Sequence, residues 1–157
     1  MRLTTKGQYA VRALVMLMIL GDDGPVTLKE ISDAEDISLN YLEQLFSKMR
    51  KGNIVKSIKG PGGGYILARD SRDIKIGEII EVVEETISPV ACVDDGANAE
   101  SCCDRSHKCT TQWLWAELGS RIKDFLDSVT IKDLFEEAKK RGVAGDILND
   151  KEDLLRL

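Results

Sequence analysis

All four cysteines and the single histidine of this 157-residue chain fall within one stretch, Cys92 to Gln112, which reads CVDDGANAESCCDRSHKCTTQ. Cys92, Cys103 and Cys109 are separated by ten and then five residues, and Cys102 abuts Cys103. Thiolates are soft ligands that select zinc or iron–sulfur clusters over hard cations. A structural zinc site is built on paired hooks with roughly two to four residues between ligands, and no two cysteines here have that spacing. A long, glycine-bearing loop instead fits the wrapping of a larger inorganic core. Free thiols are the rival reading, but a free cysteine is usually buried, and these sit among Asp, Gly, Asn and Ser. Cys92, Cys103 and Cys109 leave a fourth ligand position open. His107 is a candidate by its chemistry and Cys102 by its softness.

A second set of residues carries a different chemistry. The segment KMRKGNIVKSIK holds Lys48, Arg50, Lys51, Lys56 and Lys59 and no acid. Just before it stand Ser38, Asn40, Tyr41, Glu43 and Gln44, short or polar side chains able to approach phosphates and base edges. Glutamine can pair with adenine, and a carboxylate can accept from the cytosine amino group. Glu43 is expected to act on specificity, since a carboxylate facing DNA otherwise repels it. Lys and Arg also favour helix C-termini for electrostatic reasons, so the basic cluster gains meaning only from its setting.

That setting is legible. Residues 1–70 carry ten Lys/Arg against eight Asp/Glu, whereas residues 71–157 carry twelve against nineteen, so the net charge of −5 conceals a basic half. Thr5 with Gln8, and Thr27 with Glu30, match capping boxes that open helices. Tyr9, Ala10, Ala13, Leu14, Met16, Leu17 and Leu20 follow helical spacing. Ser38 caps a third helix whose expected buried stripe is Leu39, Leu42, Leu45, Phe46 and Met49, stopped by Gly52. IVKSI and GYILA read as short strands joined by KGPGGG. Three helices followed by a hairpin, with a short turn between the second and third helices, is the order of a winged helix-turn-helix. The glycines Gly60, Gly62 and Gly63 permit a wing tip to lie against a sugar-phosphate rail, with Lys59 at its base. A phosphate-cradling nucleotide loop fails on context, because a strand follows rather than a helix opening with Lys-Ser/Thr.

IKIGEIIEVVEET reads as a further amphipathic helix packed on the first. TTQWLWAELGSRIKDFLDSV follows with Leu114, Leu118, Ile122, Phe125, Leu126 and Val129 along one face. Thr130 and Asp133 cap a last short helix, and the segment from Val143 is acidic and weakly patterned. No apolar run reaches the length of about 18 residues needed to span a membrane. The apolar run near the first residues is interrupted by Arg12 and lacks a cleavage site, which points to a cytoplasmic protein.

MRLTTKGQYAVRAL, ISLNYLEQLFSKMRKGNIVKSIKGPGGGYILARD, IGEIIEVVEET and KCTTQWLW together resemble the IscR-like iron–sulfur regulators of the Rrf-type winged-helix family, the group that contains IscR, NsrR and CymR. The resemblance covers most of residues 1–130. It implies a homodimer joined by the long helix, at about 109–128, that binds palindromic double-stranded operators. It also implies a 2Fe-2S cluster held by Cys92, Cys103 and Cys109 with one further ligand. DNA contacts carry over to Ser38, Asn40, Tyr41, Glu43 and Gln44, and the wing contact to Lys59. Two departures stand out. The gap after Cys92 is longer by about five residues, and Gln112 occupies the place where close relatives offer a histidine. The first-helix acid that NsrR-like relatives recruit has no counterpart in TTKGQ. The fourth ligand therefore lies among His107, Cys102, Gln112 or a group from elsewhere.

The expected protein is mainly α with a small β-hairpin wing. It has a DNA-binding domain over 1–80, a linker and cluster-binding loop over 81–108, a dimerisation helix and packing helix over 109–142, and a flexible acidic tail over 143–157. The expected function is repression of iron–sulfur biogenesis genes, sensed through a 2Fe-2S cluster, with no enzymatic activity and no small-molecule substrate. A nitric-oxide or redox sensor of the same type is the alternative, and a small iron–sulfur or thiol redox protein is the alternative from another class. Structural zinc is the alternative at the thiol site.

Overall fold

The structure, a computed structural model, describes residues 5–83, 87–93 and 108–155. Helix α1 (Thr5–Leu20) is the axis of the core, with Ala10, Ala13, Leu14, Met16, Leu17, Ile19 and Leu20 buried. Thr5 is itself helical, so it does not take the N-cap role expected of it. A short 3-10 turn, Gly21–Asp23, leads to α2 (Leu28–Glu35). Here the capping box is present. Thr27 Oγ1 accepts from the Glu30 N–H at 3.2 Å, and a Glu30 carboxylate oxygen accepts from the Thr27 N–H at 2.9 Å. Removing such a cap costs about 0.5–2 kcal/mol.

Helix α2 ends where Asp36 turns left-handed at φ 53°. Ser38 then caps α3 (Leu39–Lys51), its hydroxyl oxygen accepting from the Tyr41 N–H at 3.3 Å. Leu42, Leu45, Phe46 and Met49 are buried. Leu39 departs from the expected stripe and is 42% exposed. The helical angle explains this: one residue per 100° puts Leu39 beside Glu43 and Arg50 at the edge of the solvent-facing arc. Ile37 and Leu42, both buried, supply the apolar clasp at the start of this helix instead.

Strands β1 (Val55–Ile58) and β2 (Gly64–Leu67) pair antiparallel, Val55 opposite Leu67 and Ile58 opposite Gly64. Their connection closes with Gly63 N–H donating to Gly60 carbonyl at 2.9 Å. Pro61 at the second position and Gly62 at the third, with φ 72°, make this a type II turn. A further rung, on the other edge of β2, is added from a distance. Val26 and Tyr65 exchange both main-chain hydrogen bonds, at 3.0 and 2.7 Å. Gly64 is required there, because a Cβ would sit 2.5 Å from the Val26 carbonyl oxygen. The wing is thereby stitched to the segment that precedes α2. Tyr65 also meets Phe46 of α3 edge-on, ring centroids 4.9 Å apart.

Helix α4 (Ile76–Val82) packs on α1, as its sequence implied, and also on α3 and on the long helix α5 (Gln112–Ser128). The boundary drawn at residue 80 thus falls inside a helix that touches both halves. Helices α6 (Ile131–Lys140) and α7 (Val143–Leu155) complete the described chain. Thr130 and Asp133 form the expected capping box of α6. Residues 143–155, expected to be part of a flexible, weakly patterned acidic tail, are helical, and Ala144 is buried. α7 packs against α6 and α1.

Candidate nucleic-acid interface and thiol site

The polar residues of α3 sort cleanly by angle. Asn40, Glu43, Gln44, Arg50 and Lys51 are exposed on one arc, opposite the buried row, while Tyr41 and Lys48 lie half-buried at its far edge. Ser38 is exposed ahead of them; its oxygen serves the cap and its hydroxyl hydrogen remains free to turn outward. The hairpin adds Lys56, Lys59, Gly60 and Gly62 as exposed residues, with Gly63 half-buried under the turn. α3, which carries the arc, packs on β1, the first strand of the wing.

What holds α3 at its angle was not visible in the sequence. Arg12, read there only as an interruption of an apolar run, reaches the end of α2. Its Nε donates to the Glu35 carboxylate at 2.7 Å and its Nη2 to the Glu35 carbonyl at 3.0 Å. The guanidinium also lies over the Tyr9 ring, 5.3 Å from its centroid. Tyr9 in turn meets Tyr41 of α3 edge-on at 5.8 Å. Ser32 Oγ donates to the Ile37 carbonyl at 2.6 Å across the same turn. Arg69, at the end of the wing, is a second such residue. It donates to the carbonyls of Asn53 (3.3 Å) and Asp73 (3.2 Å) and pairs with Glu78 of α4. Arg12 and Arg69 signal themselves only as charges, because their partners are remote or main-chain atoms.

The thiol residues divide. Cys102, Cys103 and His107 lie outside the described residues. Cys92 sits half-exposed in the 3-10 turn Ala91–Val93, and that turn packs against α5. Pro89, just ahead of it, fits against Gly119 of α5, where a Cβ would lie 3.1 Å from the ring. Cys109 stands at the entrance to α5. Its Sγ is 3.5 Å from the Thr111 hydroxyl. Hydrogen bonds from that hydroxyl, and then from the main-chain N–H groups of Thr111 and Gln112, hold the thiol below its ordinary pKa against the opposing effect of burial. A helix N-terminus favours a thiolate in this way. Gln112, half-buried, is the first residue of α5. Neither Cys92 nor Cys109 is in a disulfide.

Among the described residues there is no group of three or more His, Cys, Asp or Glu placed to hold a metal. The described donors nonetheless suit a cluster: two unoxidised thiols from opposite ends of one loop, one of them favoured as thiolate, both brought to the same helix.

α5 has an unusual surface. Leu114, Leu118 and Phe125, at i, i+4 and i+11, are 48%, 37% and 66% exposed, and Trp113 is 75% exposed. Ile122, Leu126 and Val129, expected on the same stripe, are half-buried. On its other side α5 approaches α4 so closely that a Cβ on Gly77 would lie 2.1 Å from the Asp127 carboxylate, and Lys123 pairs with Glu81. At the far end of α4, a Cβ on Gly52 would lie 2.7 Å from the methyls of Val82. Gly52 is the C-cap of α3. No described helix is long and apolar enough to cross a membrane.

Residues 3–137 match the Rrf2 family, described as an iron-dependent transcriptional regulator. The HTH-type transcriptional regulator IscR of Escherichia coli is 41% identical over 145 residues, spanning 92% of this chain and 86% of the relative. Among solved structures, IscR of T. potens matches with a TM-score of 0.72 and 36% identity, covering 90% of each chain. CymR, the global cysteine regulator of B. subtilis, matches with a TM-score of 0.69 and 35% identity, covering 87% of this chain and 98% of that one.

Proposed function

The chain belongs to the Rrf2 family, and from that premise we propose that it is a cytoplasmic homodimeric repressor whose affinity for a palindromic operator follows the state of a bound 2Fe-2S cluster. It is a DNA-binding transcriptional regulator and not an enzyme, as its relatives are. Genes for iron–sulfur assembly are the proposed targets. The observation that carries the cluster reading is that the turn holding Cys92 packs on the helix that begins just after Cys109. In this reading Cys92, Cys103 and Cys109 are ligands, and His107, Cys102 or Gln112 completes the set. A bound cluster supplies a state that responds to iron supply and oxidation.

The chain's own residues supply the rest. The exposed row Leu114, Leu118 and Phe125 fits burial against a second copy of α5, which spaces two recognition helices for a two-fold site. Ligation by Cys92 and Cys109 would tie the turn 91–93 to the entrance of α5 and bias where α5 sits. α5 bears on α4 at Gly77 and Glu81, and α4 bears on the end of α3 at Gly52. Operator affinity changes only by the difference in ligand binding between the two arrangements. A coupling of about 1–3 kcal/mol gives a change of roughly 5- to 150-fold.

Anaerobic purification followed by visible absorption, iron and acid-labile sulfide analysis tests the cofactor. The same measurements on His107→Ala, Cys102→Ala and Gln112→Ala identify the fourth ligand as the variant whose spectrum shifts. Stoichiometric zinc without sulfide would overturn the cluster reading.

A further inference from the structure

We propose that Leu39 reads a thymine 5-methyl group, as an apolar specificity contact at the start of the recognition helix. An exposed leucine is unremarkable by itself; its position is what distinguishes this one. Leu39 is the first residue of α3, immediately after the capping Ser38. By helical angle it lies between the exposed Glu43 and Arg50 and the buried row, at the rim of the polar arc. It has no packing duty there, since the buried pair Ile37 and Leu42 already clasps this end of the helix. Its exposure of 42% is that of a side chain left outside the core.

Residues in the first turn of a recognition helix are those that meet base edges in the major groove. The only apolar feature on those edges is the thymine methyl, which aliphatic side chains contact. The polar neighbours Asn40, Glu43 and Gln44 read donors and acceptors; none of them detects a methyl. Leu39 therefore adds a distinction, thymine against cytosine or uracil, that its neighbours leave unread.

The inference rests on sequence-specific DNA binding, and the test separates the two. Duplexes are selected from a random library by the full chain, purified anaerobically. Each thymine of the selected half-site is then replaced by deoxyuridine, which lacks the methyl. The expected result is one thymine per half-site whose replacement weakens wild-type binding about fourfold, the value of burying one methyl-sized group. Leu39→Ala is expected to lose the same factor on the thymine duplex and to be indifferent to deoxyuridine, while Leu39→Met retains the discrimination. Uniform tolerance of deoxyuridine by the wild type, or a deoxyuridine penalty that persists in Leu39→Ala, would overturn the Leu39 contact alone. A library that enriches no sequence would overturn specific binding and the contact together.

Discussion

Arg12 and Glu35 join the first helix to the turn of the helix-turn-helix: one guanidinium donates to both the side-chain carboxylate, at 2.7 Å, and the main-chain carbonyl, at 3.0 Å, of the last residue of α2. The carboxylate contact alone is a partly exposed ion pair and contributes little. The carbonyl contact satisfies a group that the end of a helix otherwise leaves unpaired. Arg12→Met keeps much of the stem and removes both bonds. We expect a loss of about 1 kcal/mol and a thermal midpoint lower by about 2–4 °C. Because the turn sets the angle of α3, operator binding should fall more than binding to random duplex. Equal loss on both DNAs would assign Arg12 to stability alone.

Gly64→Ala tests the wing's attachment. The new Cβ would meet the Val26 carbonyl oxygen at 2.5 Å and its carbon at 2.6 Å, main-chain atoms that yield little. Overpacking of this kind typically costs about 1–3 kcal/mol. The substitution should lower the thermal midpoint and weaken DNA binding by displacing the hairpin. An unchanged midpoint would show that the Val26–Tyr65 rung contributes nothing.

Lys59 is exposed at the foot of the turn. If it neutralises one phosphate per wing, Lys59→Ala should weaken binding to every sequence. It should also reduce the slope of log affinity against log salt by about 0.9 per wing. Anisotropy titrations across a salt series measure both; an unaltered slope would remove the wing from the interface.

Phe125→Asp addresses the second copy. Phe125 is 66% exposed in the single chain, so the substitution leaves the core of one protomer intact. We expect a folded monomer by sedimentation equilibrium with normal helical content. A dimer that survives Phe125→Asp together with Leu118→Asp would place the interface elsewhere.

Local signals were readable in the sequence and remote ones were not. Thr27 with Glu30, Ser38, and Thr130 with Asp133 act within one turn of chain, and each cap stands where its residue type implied. The glycine-proline run declared a turn for the same reason. Arg12 was opaque because its partner lies 23 residues away. The Val26–Tyr65 rung was invisible because one residue pair has no period. Leu39 was misplaced because a leucine at the first helical position satisfies the apolar period while sitting at its rim. Helix α7 was missed because, among its described residues, Ala144 is the buried one and Ile147 is half-buried, too little to mark a stripe. At the thiol site, types and spacing named Cys92 and Cys109, but only the fold shows that α5 receives both ends of the loop.

Operator affinity measured on one anaerobic preparation, before and after removal of its iron by a chelator, tests the central claim most directly. The Cys109→Ala variant serves as a permanently unloaded reference. The account predicts that loaded and stripped protein differ by roughly 5- to 150-fold, and that Cys109→Ala matches the stripped protein while remaining a folded dimer. Equal affinity in all three would contradict it, leaving a DNA-binding protein whose thiol loop does not govern the operator.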